Sequence, residues 1–207
     1  MANPDLLTVV VTGDGDCYGE GGNHFLHALR RNPDITVVVH NNEIYALTKG
    51  QASPTTPLGE KRALKSRGVD VPPLNMPAVA VVHGCGFVAR SFAGDRDHLR
   101  EVLVQAMTYR GFSYVEVIQP CITWGTHPVQ WYKDRIRGLP DGYDAGDRES
   151  ALRLLMKGSE EIPIGILYKG EVRETFGHRY RDEVWSRPLA ELTPLETRRI
   201  EETLATL

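Results

Sequence analysis

Hydrophobic positions in the first fifty residues change period twice. Val9, Val10 and Val11 form a short β-branched run, the pattern of a strand, and Gly13-Asp14-Gly15-Asp16 stops it sharply. From Asn23 the apolar residues Phe25, Leu26 and Leu29 recur at helical spacing, and Arg30 and Arg31 close the last turn before Asn32-Pro33-Asp34 breaks the helix. Ile35 to Val39 is a second strand, of buried type, ending at His40-Asn41-Asn42. Strand, helix and strand in so short a stretch predict a βαβ unit with its two strands parallel neighbours.

The rest of the chain is less regular. Residues 57 to 77 are polar and punctuated by Pro72, Pro73 and Pro77, which predicts a surface excursion with room for one helical turn. Ala78 to Val82 fits a buried strand or one side of a short helix; its residue types favour the strand. Asp95 is placed to cap a helix with Leu99, Val102, Leu103, Ala106 and Met107 on its apolar face and Gly111 at its end. Tyr114 to Ile118 is the next strand, leading into Gln119-Pro120-Cys121. Val129 to Ile136 and Asp147 to Met156 read as helices and Ile164 to Tyr168 as a late strand. Thr193 and Glu196 read as a capping box with Pro194 at the first helical position, which predicts a helix over Leu195 to Leu204.

Composition narrows the class. A chain of 207 residues with 41% hydrophobic content can bury a sizeable core, and a net charge of −3 gives no reason to expect nucleic acid or an acidic membrane surface. No apolar stretch approaches the roughly 18 residues of a spanning helix, and no signal peptide is evident. Three widely spaced cysteines, Cys17, Cys85 and Cys121, make no disulfide framework, so a cytoplasmic location is expected.

The βαβ unit carries the chemistry. Asp14 and Asn42 each follow the C-terminal end of a strand, and adjacent strands lie about 4.8 Å apart, so the two side chains should converge where open α/β sheets bind ligands. A carboxylate, an amide oxygen and a backbone carbonyl suit Mg²⁺ when phosphate oxygens complete its shell. Gly19, Gly21 and Gly22 would let helix N-terminal amides approach a phosphate. Other readings of the turn fail on the residues. A calcium loop starting at Asp14 would have Phe25 in its twelfth position, and a dinucleotide fingerprint would need glycine where Tyr18 stands. A plain Asp-Gly hairpin requires a strand to follow, and a helix follows instead. His24 and His27 share a helix face without a third ligand in view, so packing is their expected role, as it is for His83 and Cys85.

GDGD…GGNHFLHALRRN…HNNEIYALTKGQASPTT resembles the β subunit of 2-oxoacid:ferredoxin oxidoreductases, and the GDG…NN pair within it resembles the thiamine diphosphate motif; the likeness runs from Ala2 to at least Thr123. It implies an α/β thiamine diphosphate-binding fold, a mostly parallel sheet with helices on both faces, truncated at its N-terminus. It favours a helix at Ala78 to Val82, before a strand near Phe87 to Arg90. The cofactor domain is then residues 1–124, and residues 125–207 form a C-terminal extension packed on it. The resemblance implies Mg²⁺ bound by Asp14, Asn42 and the backbone carbonyl of Ile44, and a diphosphate lined by Gly13, Gly15, Asp16, Cys17, Gly19 and Asn41. Lys49 would face a 2-oxoacid carboxylate or a coenzyme A phosphate. Cys121 matches one of four cysteine ligands to a [4Fe–4S] cluster, and Cys17 and Cys85 stand in the wrong places to replace the others. The implied reaction is oxidative decarboxylation to an acyl-CoA with electrons passed to ferredoxin, and the activating glutamate is expected on an α-subunit partner. A non-redox thiamine-dependent decarboxylase or synthase subunit, or an inactive cofactor-binding remnant, is the alternative.

Overall fold

A computed structural model describes residues 6–125, 127–158 and 160–179, and residue 205. Among these residues eight strands are arranged in two sheets: β1 (Val9–Gly13), β2 (Ile35–Asn41), β5 (Phe87–Phe92), β6 (Phe112–Ile118), β7 (Ile136–Gly138) and β8 (Ile162–Lys169) form the large one, while β3 (Ile44–Tyr45) and β4 (Gln51–Ala52) pair as a small hairpin. The large sheet has the order β1-β2-β6-β5-β8-β7. β1, β2, β6 and β5 run parallel; β8 is antiparallel to β5, and β7 is parallel to β8. The mostly parallel α/β sheet expected from the sequence is therefore present, with β1 and β2 as parallel neighbours.

Alternation along the strands divides the core between two faces. Val37, Val39, Val88, Phe112 and Tyr114 pack with Phe25 and Leu29 of α1 (Gly22–Arg31), with Met76, Ala80 and Val81 of α2 (Met76–Val82), and with Ala151 of α5 (Arg148–Met156). Val38, Phe87, Ala89, Val115 and Val117 point to the other face, against Val102 and Ala106 of α3 (Arg96–Thr108). β1 lies at the sheet edge, and its valines are 37%, 42% and 64% exposed at Val9, Val10 and Val11.

Local signals explain most boundaries. Asp95 and Asp147 cap α3 and α5 by accepting from the backbone of His98 at 3.1 Å and of Glu149 at 2.9 Å. Residues 78–82 lie in a helix, as the family likeness implied and against their residue types. The Asn75 side chain accepts from Ala78 N at 3.3 Å and Pro77 occupies the first turn, so cap chemistry decides between two readings that periodicity leaves equal. The helix predicted over Val129 to Ile136 is shorter: α4 (Val129–Lys133) ends, and Ile136 enters β7, paired with Ile162. Tertiary strand pairing there overrides the apolar spacing. The turn after β1 is also more regular than predicted, with Gly15–Glu20 forming one π-type helical turn closed by Gly21 N donating to Asp16 O at 2.6 Å.

Leu7–Phe176 is one compact unit. The helix expected over Leu195 to Leu204 lies outside the described residues. Among the described residues no helix is long and apolar enough to cross a membrane.

Candidate functional site at the strand ends

Register brings the predicted pair together. Gly13 is opposite His40 in the β1–β2 ladder, so Asp14 emerges beside Asn41 and Asn42. Asp14 is 1% exposed; its Oδ1 accepts from Asn42 N at 3.3 Å and its Oδ2 from Thr55 Oγ1 at 2.6 Å. Asn42 Oδ1 in turn accepts from Ile44 N at 3.0 Å, an Asx turn that folds the chain back into the β3–β4 hairpin. Between them Glu43 holds a left-handed φ of 61°, a conformation costly for a non-glycine residue. Thus Asp14, Asn41, Asn42 and Ile44 form one cluster.

The glycine-rich turn stands beside it. Gly13 N donates to Asp16 Oδ2 at 3.3 Å, while Gly15 and Gly19 lie against the Tyr45 side chain. A Cβ on Gly15 would come within 2.3 Å of a Tyr45 ring carbon, so glycine is required there by the chain's own packing. Cys17 contributes no reactive thiol: it is buried with Tyr18 in the core, and burial, helped by the Asp16 and Asp14 carboxylates, pushes its pKa up to about 12.

Lys49 is exposed in the β3–β4 connection with φ 72°, a left-handed non-glycine residue on the other side of β3 from Glu43. Trp124 borders Gly50 of that hairpin, which brings the segment after β6 close to it. Cys121 is half-buried, with Trp124 N donating to its Sγ at 3.3 Å. Cys85 is fully buried; its thiol donates to Phe87 O, and burial pushes its pKa up to about 12. Among the described residues no group of three or more His, Cys, Asp and Glu is arranged to hold a metal ion.

Sequence reading missed three side chains of this cluster. Thr55 bridges Asp14 Oδ2 and Asn41 Oδ1, the latter at 2.9 Å. Glu116, 3% exposed, accepts from Asn41 Nδ2 at 3.0 Å through Oε1 and from Arg90 Nε at 2.6 Å through Oε2. The signal for Glu116 and Arg90 was an acid and a base inside otherwise apolar strands, FSYVEVI and FVARSF. Two cavities lie away from it. One of about 630 Å³ is lined by Asp95, Arg96 and Lys133 among others; a second of about 240 Å³ shares only Arg90 with the cluster. The donor chemistry, not cavity size, marks the site.

Comparison with known proteins agrees with this chemistry. Residues 1–117 match the family described as thiamine pyrophosphate enzyme, C-terminal TPP binding domain, and residues 121–183 match the family described as the C-terminal part of the pyruvate ferredoxin oxidoreductase beta subunit. The chain is 38% identical over 195 residues to subunit beta of 2-oxoacid:ferredoxin oxidoreductase 1 from Aeropyrum pernix, covering 86% of this chain and 60% of that relative. It is 36% identical over 213 residues to subunit beta of the second such enzyme from that organism, covering 97% of this chain and 68% of the relative. It superposes with a TM-score of 0.80 and 32% identity on a 2-oxoglutarate:ferredoxin oxidoreductase from Magnetococcus marinus solved with 2-oxoglutarate, coenzyme A and succinyl-CoA bound, over 98% of this chain and 64% of that one. The chain thus spans a little under two thirds of most of these proteins, and it belongs to the family of 2-oxoacid:ferredoxin oxidoreductase beta subunits, whose thiamine pyrophosphate-binding domain it carries.

Proposed function

We propose that this chain holds thiamine diphosphate and Mg²⁺ for the oxidative decarboxylation of a 2-oxoacid, forming an acyl-CoA and CO₂ and passing electrons to ferredoxin. The observation that carries this is Asp14. It is a carboxylate 1% exposed whose partners are two neutral donors, Asn42 N and Thr55 Oγ1, and among the described residues no Lys, Arg or His forms an ion pair with it. A buried charge in that state calls for a cation. Asp14, the amide oxygen of Asn42 and the carbonyl of Ile44 supply an all-oxygen set that suits Mg²⁺, with diphosphate oxygens in the remaining positions. Gly13, Gly15, Asp16, Cys17 and Gly19 would line the diphosphate through their backbone, with Asn41 beside them. Bound there, thiamine diphosphate supplies the acidic carbon and the electron sink that decarboxylation needs.

The chain's own part is to bind and orient. Lys49, exposed at the hairpin, offers a cation to the carboxylate of the 2-oxoacid or to a coenzyme A phosphate, a reading supported by the acyl-CoA found in the Magnetococcus marinus relative. The acid that activates the cofactor is assigned to an α-type partner. Cys121 joins a [4Fe–4S] cluster if the missing ligands are supplied from outside these 207 residues, since its three cysteines cannot make a four-cysteine site. Residues 125–207 serve in this reading as an extension of the cofactor domain. The test is viologen- or ferredoxin-linked oxidation of 2-oxoacids by the full protein with its partner, with and without coenzyme A. Release of CO₂ without coenzyme A or an acceptor would indicate the non-redox decarboxylase, and cofactor binding without turnover the remnant. Asp14→Ala should abolish Mg²⁺-dependent thiamine diphosphate binding, and undiminished binding would sink the metal assignment.

A further inference from the structure

We infer that Glu116, pinned by Arg90, is a positioning residue that sets the orientation of Asn41 and, through it, the metal-binding end of the site. The inference rests on reading Asp14, Asn42 and Ile44 as that end. β6 is buried along its whole length, and alternation puts Glu116 on the same face as Phe112 and Tyr114. Ladder register sets Val39 on one side of Glu116 and Arg90 on the other, and Asn41 lies two residues beyond Val39 on that face. Three polar side chains from three adjacent strands therefore meet over one patch of an otherwise apolar sheet.

Their hydrogen bonds have a fixed sense. Arg90 Nε–H donates to Glu116 Oε2 at 2.6 Å, which leaves Oε1 for the Asn41 amide at 3.0 Å. A carboxylate only accepts, so Asn41 must present its NH₂ to Glu116 and its oxygen to the site. That oxygen accepts from Glu43 N at 3.2 Å and faces Thr55 Oγ1 at 2.9 Å; the Thr55 hydroxyl is 2.6 Å from Asp14 Oδ2. Glu43 is the left-handed residue between Asn42 and Ile44. Flipping the Asn41 amide would set its oxygen against the Glu116 carboxylate and its NH₂ against the Glu43 N–H. A buried ion pair gives a fold little that apolar packing would not, whereas this one selects a single orientation of the site.

The experiment is a donor–acceptor swap in the full protein with its partner subunit, read by titrating Mg²⁺ at fixed thiamine diphosphate in a calorimeter, with unfolding midpoints measured on the same preparations. Glu116→Gln turns an NH₂ toward Asn41 or Arg90, and Asn41→Asp sets two carboxylates against each other. Each should weaken apparent Mg²⁺ affinity about tenfold or more, the range typical of groups that orient metal ligands. In the double variant the new amide at position 116 can donate to the new carboxylate at position 41 and accept from Arg90, so most of the loss should be recovered. Lowered unfolding midpoints with Mg²⁺ affinity within about twofold of the parent would mean that the pair serves stability alone and would overturn the inference. So would a double variant no better than the two single losses multiplied. If E116Q does not fold, Arg90→Lys keeps the charge but loses the rigid Nε–H; a drop of about threefold is expected, and an unchanged affinity overturns the inference. Asp14→Ala separates the two levels: Mg²⁺-dependent binding that survives D14A removes the metal-site reading, while loss in D14A with full affinity in E116Q removes only the positioning role.

Discussion

Glu43 should make the protein less stable as pH rises through the neutral range, and replacing it with glutamine should remove that dependence. Its carboxylate sits in the turn between Asn42 and Ile44, and Tyr132 Oη donates to its Oε2 at 3.1 Å. Burial pushes its pKa from the ordinary 4.5 up to about 7; the Tyr132 hydrogen bond pulls the other way, the Glu60 and Asp14 carboxylates add to the rise, and Arg62 opposes it. The folded state therefore holds a proton that the unfolded chain has already released, and stability declines with pH wherever the native state binds more protons. The contribution is whole below the unfolded pKa of 4.5 and is lost as pH rises through about 7. At roughly 1.4 kcal/mol per unit the full shift corresponds to about 3 kcal/mol, and partial access to water reduces this to about 1–2 kcal/mol. Urea unfolding of the parent and of Glu43→Gln at about pH 5 and about pH 8 isolates this one group as the change in their difference between the two conditions. The substituted amide stays neutral and can still accept from Tyr132, so E43Q should gain about 1–2 kcal/mol on the parent between those conditions. A difference that stays constant with pH, or moves in the parent's favour, would refute the assignment of a raised pKa to Glu43.

Further perturbations test the packing beneath the site. Gly15→Ala should cost about 1–3 kcal/mol in urea denaturation because the new methyl meets the Tyr45 ring at 2.3 Å, and Tyr45→Ala in the same chain should relieve most of that strain. Arg90→Met should cost about 3–5 kcal/mol by leaving the buried Glu116 carboxylate without its cation, again read by denaturation. Asn32, at φ 53° after α1, accepts from Phe112 N at 2.9 Å; Asn32→Ala should cost about 2–3 kcal/mol, and Asn32→Gly should recover about 1 kcal/mol of it by removing the backbone strain.

Much of this architecture was readable from residue order because its signals are local. Asp95 and Asp147 sit where their side chains can bond the next free N–H, and Asn32-Pro33 ends α1 where it must. The convergence of Asp14 and Asn42 was legible for a different reason: a single crossover fixes two strand ends side by side, so one parallel pairing locates both residues. What escaped needed a second pairing. Ile136 enters β7 because Ile162, far along the chain, lines up with it, and nothing within residues 129–136 announces that partner.

Glu116 and Arg90 show where the limit lies. Each is conspicuous alone, a charged residue in a strand that is otherwise apolar, but the bland reading of such a residue is a strand end or an exposed face. Only the order β2-β6-β5 makes them neighbours of each other and of Asn41. With that order given, parity does the rest: Asn41, Glu116 and Arg90 must point to one side of the sheet, and the donor and acceptor count permits one arrangement of their hydrogen bonds. The clustered strand-end residues can thus be read from a motif of adjacent strand ends, whereas the residues that hold them still become visible only when non-local strand order is combined with the chemistry of each side chain.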